Sequence, residues 1–219
     1  KNIRHFPGLN GITAIIEKDS THMWIGTSTG LYLLEKATGK YTYIQMPVES
    51  YYIYSLCQAS DGMLYIGTNN AGLLVYDTTK NTFRHYHRDN CALISNNIYT
   101  LLSDGKGNIF LSTEHGLSTF YPAEETFHNW TKEQGLKSDH FNAASGTLRK
   151  NGNFIFGSTD GAIEFDKDMV LPRDYKFKMV FNDLRVFYQT VYPKDEGSPL
   201  ILDIDETKTL RLKYNQNIF

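Results

Sequence analysis

Cysteine and tryptophan are scarce in this 219-residue chain, charge is nearly balanced, and no long apolar run occurs. Two cysteines, Cys57 and Cys91, are too few for a disulfide framework, and both are expected as free thiols. A formal net charge of −2 lacks the basic footprint that nucleic-acid binding requires, so no nucleic-acid partner is expected. Without 18 consecutive apolar residues nothing spans a membrane, and the N-terminal stretch has no signal-peptide core. No GxGxxG opens a helix, and no HExxH, GxSxG or Cys/His ligand spacing occurs. No cofactor, no metal and no catalytic residue are therefore assigned.

Aromatic residues are abundant instead, with 15 Tyr and 13 Phe, and such side chains favour pleated, half-buried surfaces. Many of them fall in one repeated phrase. MWIGTSTGLYLLEK starts at Met23 and LYIGTNNAGLLVYD at Leu64, with weaker echoes in IFLSTEHGLSTFYP from Ile109 and FIFGSTDGAIEFDK from Phe154. Alignment places Trp24, Tyr65, Phe110 and Ile155 in register, 41, 45 and 45 residues apart. Strand-rich repeats of that period are the signature of propeller blades. The second unit reads as four strands, IYSLCQ, MLYIGT, LLVY and TFRHYH, joined by Ser60-Asp61-Gly62, Asn69-Asn70-Ala71-Gly72 and DTTKN. Asp-Gly and Asn-Gly between strand runs tolerate the positive φ that tight turns demand. Gly26, Gly67 and Gly157, with Ser112 in their place in the third unit, are read as small residues that let neighbouring blades pack. Gly30, Gly72, Gly116 and Gly161 are read as turn glycines.

The predicted fold is all-β: a partial β-propeller of about four four-stranded blades over residues 1–170, then the first strands of an immunoglobulin-like β-sandwich over residues 171–219. Residues 2–6 align with the outer strand of the second unit and have no blade of their own, while the fourth unit lacks an outer strand. Residues 2–6 are expected to complete either the fourth blade or a blade of a second copy, which would make a homodimer. Beyond Asp168 the repeated phrase stops, and KFKMVFNDLRVF, LILDI and TLRLKY alternate as sandwich strands. The chain stops at Phe219 within such a run, which reads as a piece of something longer.

The repeated W/Y-I-G-T-x-x-G-L, with DG before it and F-x-x-Y after it, resembles the two-component regulator propeller repeat. The stretch FNDLRVFYQTVYP…GSPL…TLRLKYNQNIF resembles the start of the Y_Y_Y sandwich domain that follows such propellers, and NWTKEQGLKSDHFNAASGTLRKNGNFIFGSTDGAIEFD resembles the family's final blade. The resemblance implies the periplasmic sensor half of a Bacteroides-type hybrid two-component histidine kinase, anchored by a transmembrane helix absent here. It implies an oligosaccharide ligand and control of polysaccharide-utilisation genes by signal transduction. A complete family propeller has about seven blades, where this chain has about four.

Two other functions compete: a propeller scaffold for protein–protein interaction, and a glycan-active propeller enzyme. Hydrolysis needs paired carboxylates with divergent environments. Asp61, Asp77, Asp104 and Asp166 recur at turn positions, which reads as turn chemistry; Glu114, Asp139 and Asp160 lie in less regular loops. For a sugar, the turns between second and third strands and the links between blades share one face of a propeller. That face is expected to gather Tyr51, Tyr52, Asn69, Asn70, His115, His140 and Asp160, aromatic faces stacking on sugar rings and polar groups bonding hydroxyls. Tyr51 and Tyr52 could equally pack between blades.

Overall fold

The computed structural model describes residues 5–48, 52–166, 182–204 and 206–214. The chain divides into two compact units, Lys1–Met169 and Val170–Phe219. The first unit is a row of antiparallel sheets in propeller arrangement. Blade one comprises β1 (Ile12–Glu17), β2 (His22–Thr27), β3 (Gly30–Glu35) and β4 (Tyr41–Ile44). Blade two comprises β5 (Ile53–Gln58), β6 (Leu64–Thr68), β7 (Leu73–Asp77) and β8 (Thr82–Tyr86). Blade three comprises β9 (Ile98–Ser103), β10 (Ile109–Thr113), β11 (Gly116–Tyr121) and β12 (Thr126–Trp130). Blade four has three strands among the described residues, β13 (Phe141–Leu148), β14 (Phe154–Ser158) and β15 (Gly161–Phe165). In every blade the strands pair in chain order.

Local chemistry explains the repeated phrase. In the first turn of each blade an Asp or Asn side chain accepts backbone N–H groups that would otherwise be orphaned. Asp61 Oδ1 takes Met63 N–H at 2.9 Å, Asp104 Oδ1 takes Lys106 and Asn108 N–H, and Asn151 Oδ1 takes Asn153 N–H. In the second turn the work falls to the hydroxyl that ends each second strand. Thr27, Thr68, Thr113 and Ser158 donate to the carbonyls of Gly30, Gly72, Gly116 and Gly161, at 2.7–2.9 Å. The same oxygens accept the N–H of Thr29, Ala71, His115 and Asp160. The glycines of this turn have positive φ, 75° at Gly72 and 127° at Gly116, where a Cβ would strike the carbonyl oxygen of Tyr86 or Trp130.

Blades stack through apolar faces. Trp24, Leu31 and Met46 meet Leu56, Ile66 and Leu74 between blades one and two. Tyr65 and Val75 meet Ile98, Leu111 and Phe120 between blades two and three. Phe110 stacks on Phe154 at 4.2 Å between blades three and four. The second-strand glycines permit this approach, since a Cβ on Gly26 would lie 2.7 Å from Ile53 and one on Gly67 2.8 Å from Ile98. Trp130 is buried at the outer edge of blade three, edge-on to Phe165 at 5.3 Å.

The two ends of the row differ. Across blade one runs the row Ile15, Ile25, Tyr32 and Tyr43, the counterpart of Leu56, Ile66, Leu74 and His85 in blade two. Leu56 is 6% exposed under blade one, whereas Ile15 is 52% exposed. The far face of blade four instead carries Thr147, Ile155 and Glu164, with Arg149 Nη1 on the Glu164 carboxylate at 2.8 Å and 3.0 Å. Closing these four blades on themselves would bury that charged pair against Ile15 and Tyr43, which is unfavourable. Of residues 2–6, only His5 and Phe6 are described, and neither is in a strand. Phe6 lies beside Gly39 in the β3–β4 turn, so this part of the expected orphan strand sits at blade one, not at the edge of blade four.

In the second unit the only ladder among the described residues pairs β16 (Arg185–Val186) with β17 (Gln189–Thr190). The expected strands over 200–204 and 209–214 carry no ladder among the described residues, and most of KFKMVF lies outside them. Alternation alone does not hold a strand without a paired neighbour.

Three expectations follow for the stability of the first unit. Thr68→Val removes a buried hydroxyl that serves one donor and one acceptor, and is expected to cost ~1–3 kcal/mol, while Thr68→Ser restores most of it. Gly67→Ala overpacks the blade two–three interface and is expected to cost ~1–3 kcal/mol. Urea denaturation checks both, and an unshifted midpoint for either variant contradicts the packing described. The Asp77 carboxyl is held down at about 2, first by the Thr79 hydroxyl and then by the Lys80 N–H. A depressed carboxylate contributes stability above its unfolded range that is lost as pH falls through the folded value. Melting temperature is thus expected to fall between about pH 4 and pH 2, less steeply in Asp77→Asn.

Candidate functional site

The face where second turns meet interblade links is tied together by backbone hydrogen bonds. Ser28 N–H donates to Gly11 O, Asn69 N–H to Tyr52 O and Thr159 N–H to His140 O, at 2.9, 2.9 and 3.0 Å. Gly72 N–H reaches Asn96 O, and Asn70 N–H reaches Asn97 Oδ1, joining the turn of blade two to the link entering blade three. The His140 ring donates from Nδ1 to the Glu114 carbonyl at 2.8 Å; a carbonyl only accepts, so Nδ1 carries the proton. The structure thus places Tyr52 with Asn69 and Asn70, and places His140 with Glu114, His115 and the Thr159–Asp160 turn. Tyr51 lies outside the described residues.

Three tyrosines join these two groups. Each inner strand is bulged near its start. Thr13, Tyr54 and Tyr99 are the extra residues of β1, β5 and β9, between the pairs Ile12–Thr27 and Ala14–Gly26, Ile53–Thr68 and Ser55–Gly67, and Ile98–Thr113 and Thr100–Ser112. In β13 the irregularity widens to residues 142–145, where Ala144 has φ 53°. A bulge re-aims its extra side chain, and these recur at the same end of every blade. Tyr54 and Tyr99 consequently meet edge-to-face with centroids 5.2 Å apart, and Tyr52 lies 4.9 Å from Tyr54. Partial burial raises the Tyr54 phenol, helped by Tyr52 and Glu114; burial raises Tyr99 too, helped by Glu114 and Tyr54. The Glu114 carboxylate accepts from Ser95 Oγ at 3.0 Å and lies 3.7 Å from His115 Nε2.

Tyr54 and Tyr99 are the members that sequence reasoning missed. The signal was present: IYSL and IYTL put tyrosine at the same place in two consecutive units. Ordinary alternation hid it, because nothing in a strand pattern marks the residue that will bulge.

Beside this ladder, a groove of about 560 Å³ opens between the link after blade one and the outer strand of blade two. Pro47, Val48, Asn70, His85, His87 and Asn96 are among its walls. The His85 ring donates from Nε2 to Ala71 O at 2.6 Å, so it anchors the turn as well as facing the groove. The Asp139 carboxylate is occupied with backbone: its Oδ1 accepts Lys132 N–H at 2.7 Å and braces the short helical turn Lys132–Gln134. Cys57 and Cys91 are free, and burial pushes the Cys57 thiol up to about 11. Among the described residues no three His, Cys, Asp or Glu side chains converge as metal ligands, and no helix is long and apolar enough to cross a membrane.

Residues 47–70 match the two-component regulator propeller family, a segment that runs from the link through Tyr52 and β5 to Asn70. The chain is also 23% identical over 220 residues to Histidine kinase P4 of Formosa agariphila, covering 96% of this chain and 16% of that protein. The extracellular domain of BT4673 from Bacteroides thetaiotaomicron, described as a one-component system, superposes with TM-score 0.59 at 20% identity, over 78% of this chain and 23% of that one. A second structure of BT4673, described as a hybrid two-component system, gives 0.50 at 16% identity, over 73% and 27%. The WD40 repeats of RRP9 give 0.53 at 14% identity, over 71% and 47%. At such identities the structural likenesses speak for the propeller fold. The chain spans 16% of the kinase relative and 23% and 27% of the two BT4673 extracellular domains.

Proposed function

We propose that this chain is part of the extracytoplasmic, periplasmic sensing region of a two-component histidine kinase, and that it binds an oligosaccharide without chemically changing it. The observation that carries the reading is the regulator propeller match over residues 47–70, whose two ends, with Tyr52, Asn69 and Asn70, come together on the face where the loops of adjacent blades meet. In the kinase relative, the matched region is a small fraction of the protein, which leaves room for separate catalytic parts. The second unit is read as the opening of the Y_Y_Y sandwich, and control of polysaccharide-utilisation genes as the output.

The ladder Tyr52, Tyr54 and Tyr99 offers ring faces to pyranose rings, and Asn70, His115, His140 and Asp160 offer hydroxyl partners around it. A glycan array probed with the chain is expected to show carbohydrate binding, and calorimetry with the best hit is expected to lose ~1–3 kcal/mol in Tyr52→Ala, as for a lost stacking contact elsewhere. An empty array with folded protein, or a Tyr52→Ala titration identical to the parent's, contradicts the reading.

A further inference from the structure

We propose that the tyrosine ladder at the start of the inner strands is a cation-selecting sugar subsite. It takes an oligosaccharide unit bearing an ammonium group, such as glucosamine, ahead of a neutral unit, and it rejects uronates. The inference rests on the sugar-binding reading above and adds the charge of the ligand.

The geometry is that of a negative corner. Tyr54 and Tyr99 meet at 84° and Tyr52 tilts 53° to Tyr54, so the rings form walls that face different directions and do not close into one stack. Aromatic faces carry the negative lobe of the ring quadrupole, and an ammonium within about 6 Å of a centroid is attracted to it. Glu114 supplies a full negative charge at the same place. It follows Thr113, whose ladder partner Ile98 directly precedes Tyr99, and the Tyr54 ring lies against that of Tyr99. The carboxylate is held by the Ser95 hydroxyl, and its side chain is 38% exposed, so it is steady and open to a ligand. Among the described residues its ion-pair neighbour is the half-exposed His115, while the His140 ring proton is committed to the Glu114 carbonyl. An incoming ammonium would meet ring faces and a carboxylate whose surroundings are already partly desolvated. A uronate would meet the same carboxylate with like charge, which is repulsive where screening is weak.

The test is calorimetric titration of the chain at about pH 6 with three probes of equal length: a glucosamine hexamer, cellohexaose and a hexameric oligogalacturonate. The glucosamine hexamer is expected to bind about tenfold tighter than cellohexaose, within the range of one ring–cation contact, with oligogalacturonate weakest. Glu114→Gln keeps the Ser95 acceptor and the side-chain shape; it is expected to bring the first two probes within about twofold, with an unchanged circular dichroism spectrum. Tyr99→Ala is expected to weaken both. Equal or tighter binding of cellohexaose or oligogalacturonate overturns the charge inference while leaving the sugar-sensing reading intact. Persistence of the tenfold preference in Glu114→Gln overturns the role of Glu114. Binding by none of the three overturns this inference, and the glycan array then decides separately whether the sensing reading survives.

Discussion

A four-stranded sheet has two faces and too few residues to bury either one by itself, so each blade here exists by leaning on the next. Leu56, Ile66 and Leu74 are buried only because Trp24, Leu31 and Met46 cover them. Tyr65 and Val75 are buried in the same way against the third blade. The approach is close enough that a single methyl group on Gly26 or Gly67 would collide with the inner strand beyond it. Every other feature of the first unit inherits its position from this stacking.

Stacking at that distance leaves no room for water at the strand ends, so the turns must satisfy their own polar groups. One hydroxyl per blade does so, donating to a glycine carbonyl and accepting an N–H two or three residues along. The phrase G-T-x-x-G of blade one, G-T-x-x-x-G in blade two, is therefore a packing instruction and a turn instruction written together. With the turns locked, the links between blades are pinned by hydrogen bonds such as Asn69 N–H to Tyr52 O. Loops that would wander on an isolated sheet become a defined surface. The bulge at the start of each inner strand then turns one side chain per blade, Thr13, Tyr54 or Tyr99, away from the ladder's alternation.

The blades were legible because they depend on local signals. A period near 45 residues, Asp-Gly turns and paired apolar strands each act over a few residues, and strand boundaries such as Ile53–Gln58 and Thr126–Trp130 follow them closely. The site was half legible. Asn69, Asn70, His115 and His140 could be placed on one face from turn order alone. Tyr54 and Tyr99 could not be placed there, because a bulge depends on register between two strands and not on the residue itself. The second unit shows the opposite failure: 200–204 and 209–214 alternate as strands do, yet the described residues there hold no ladder.

The amino-acid order by itself determined the blade, its four-strand rhythm, and the glycines and hydroxyls that its turns need, since all of these act between neighbours in the chain. Only the tertiary structure decided that Ile15 of blade one is half exposed, that Glu164 and Arg149 cap the other end, and that three tyrosines from two strands and a link meet at the turn that carries Glu114. Those outcomes depend on the register and stacking of segments some 45 residues apart, and register is a property of pairs that no single segment contains.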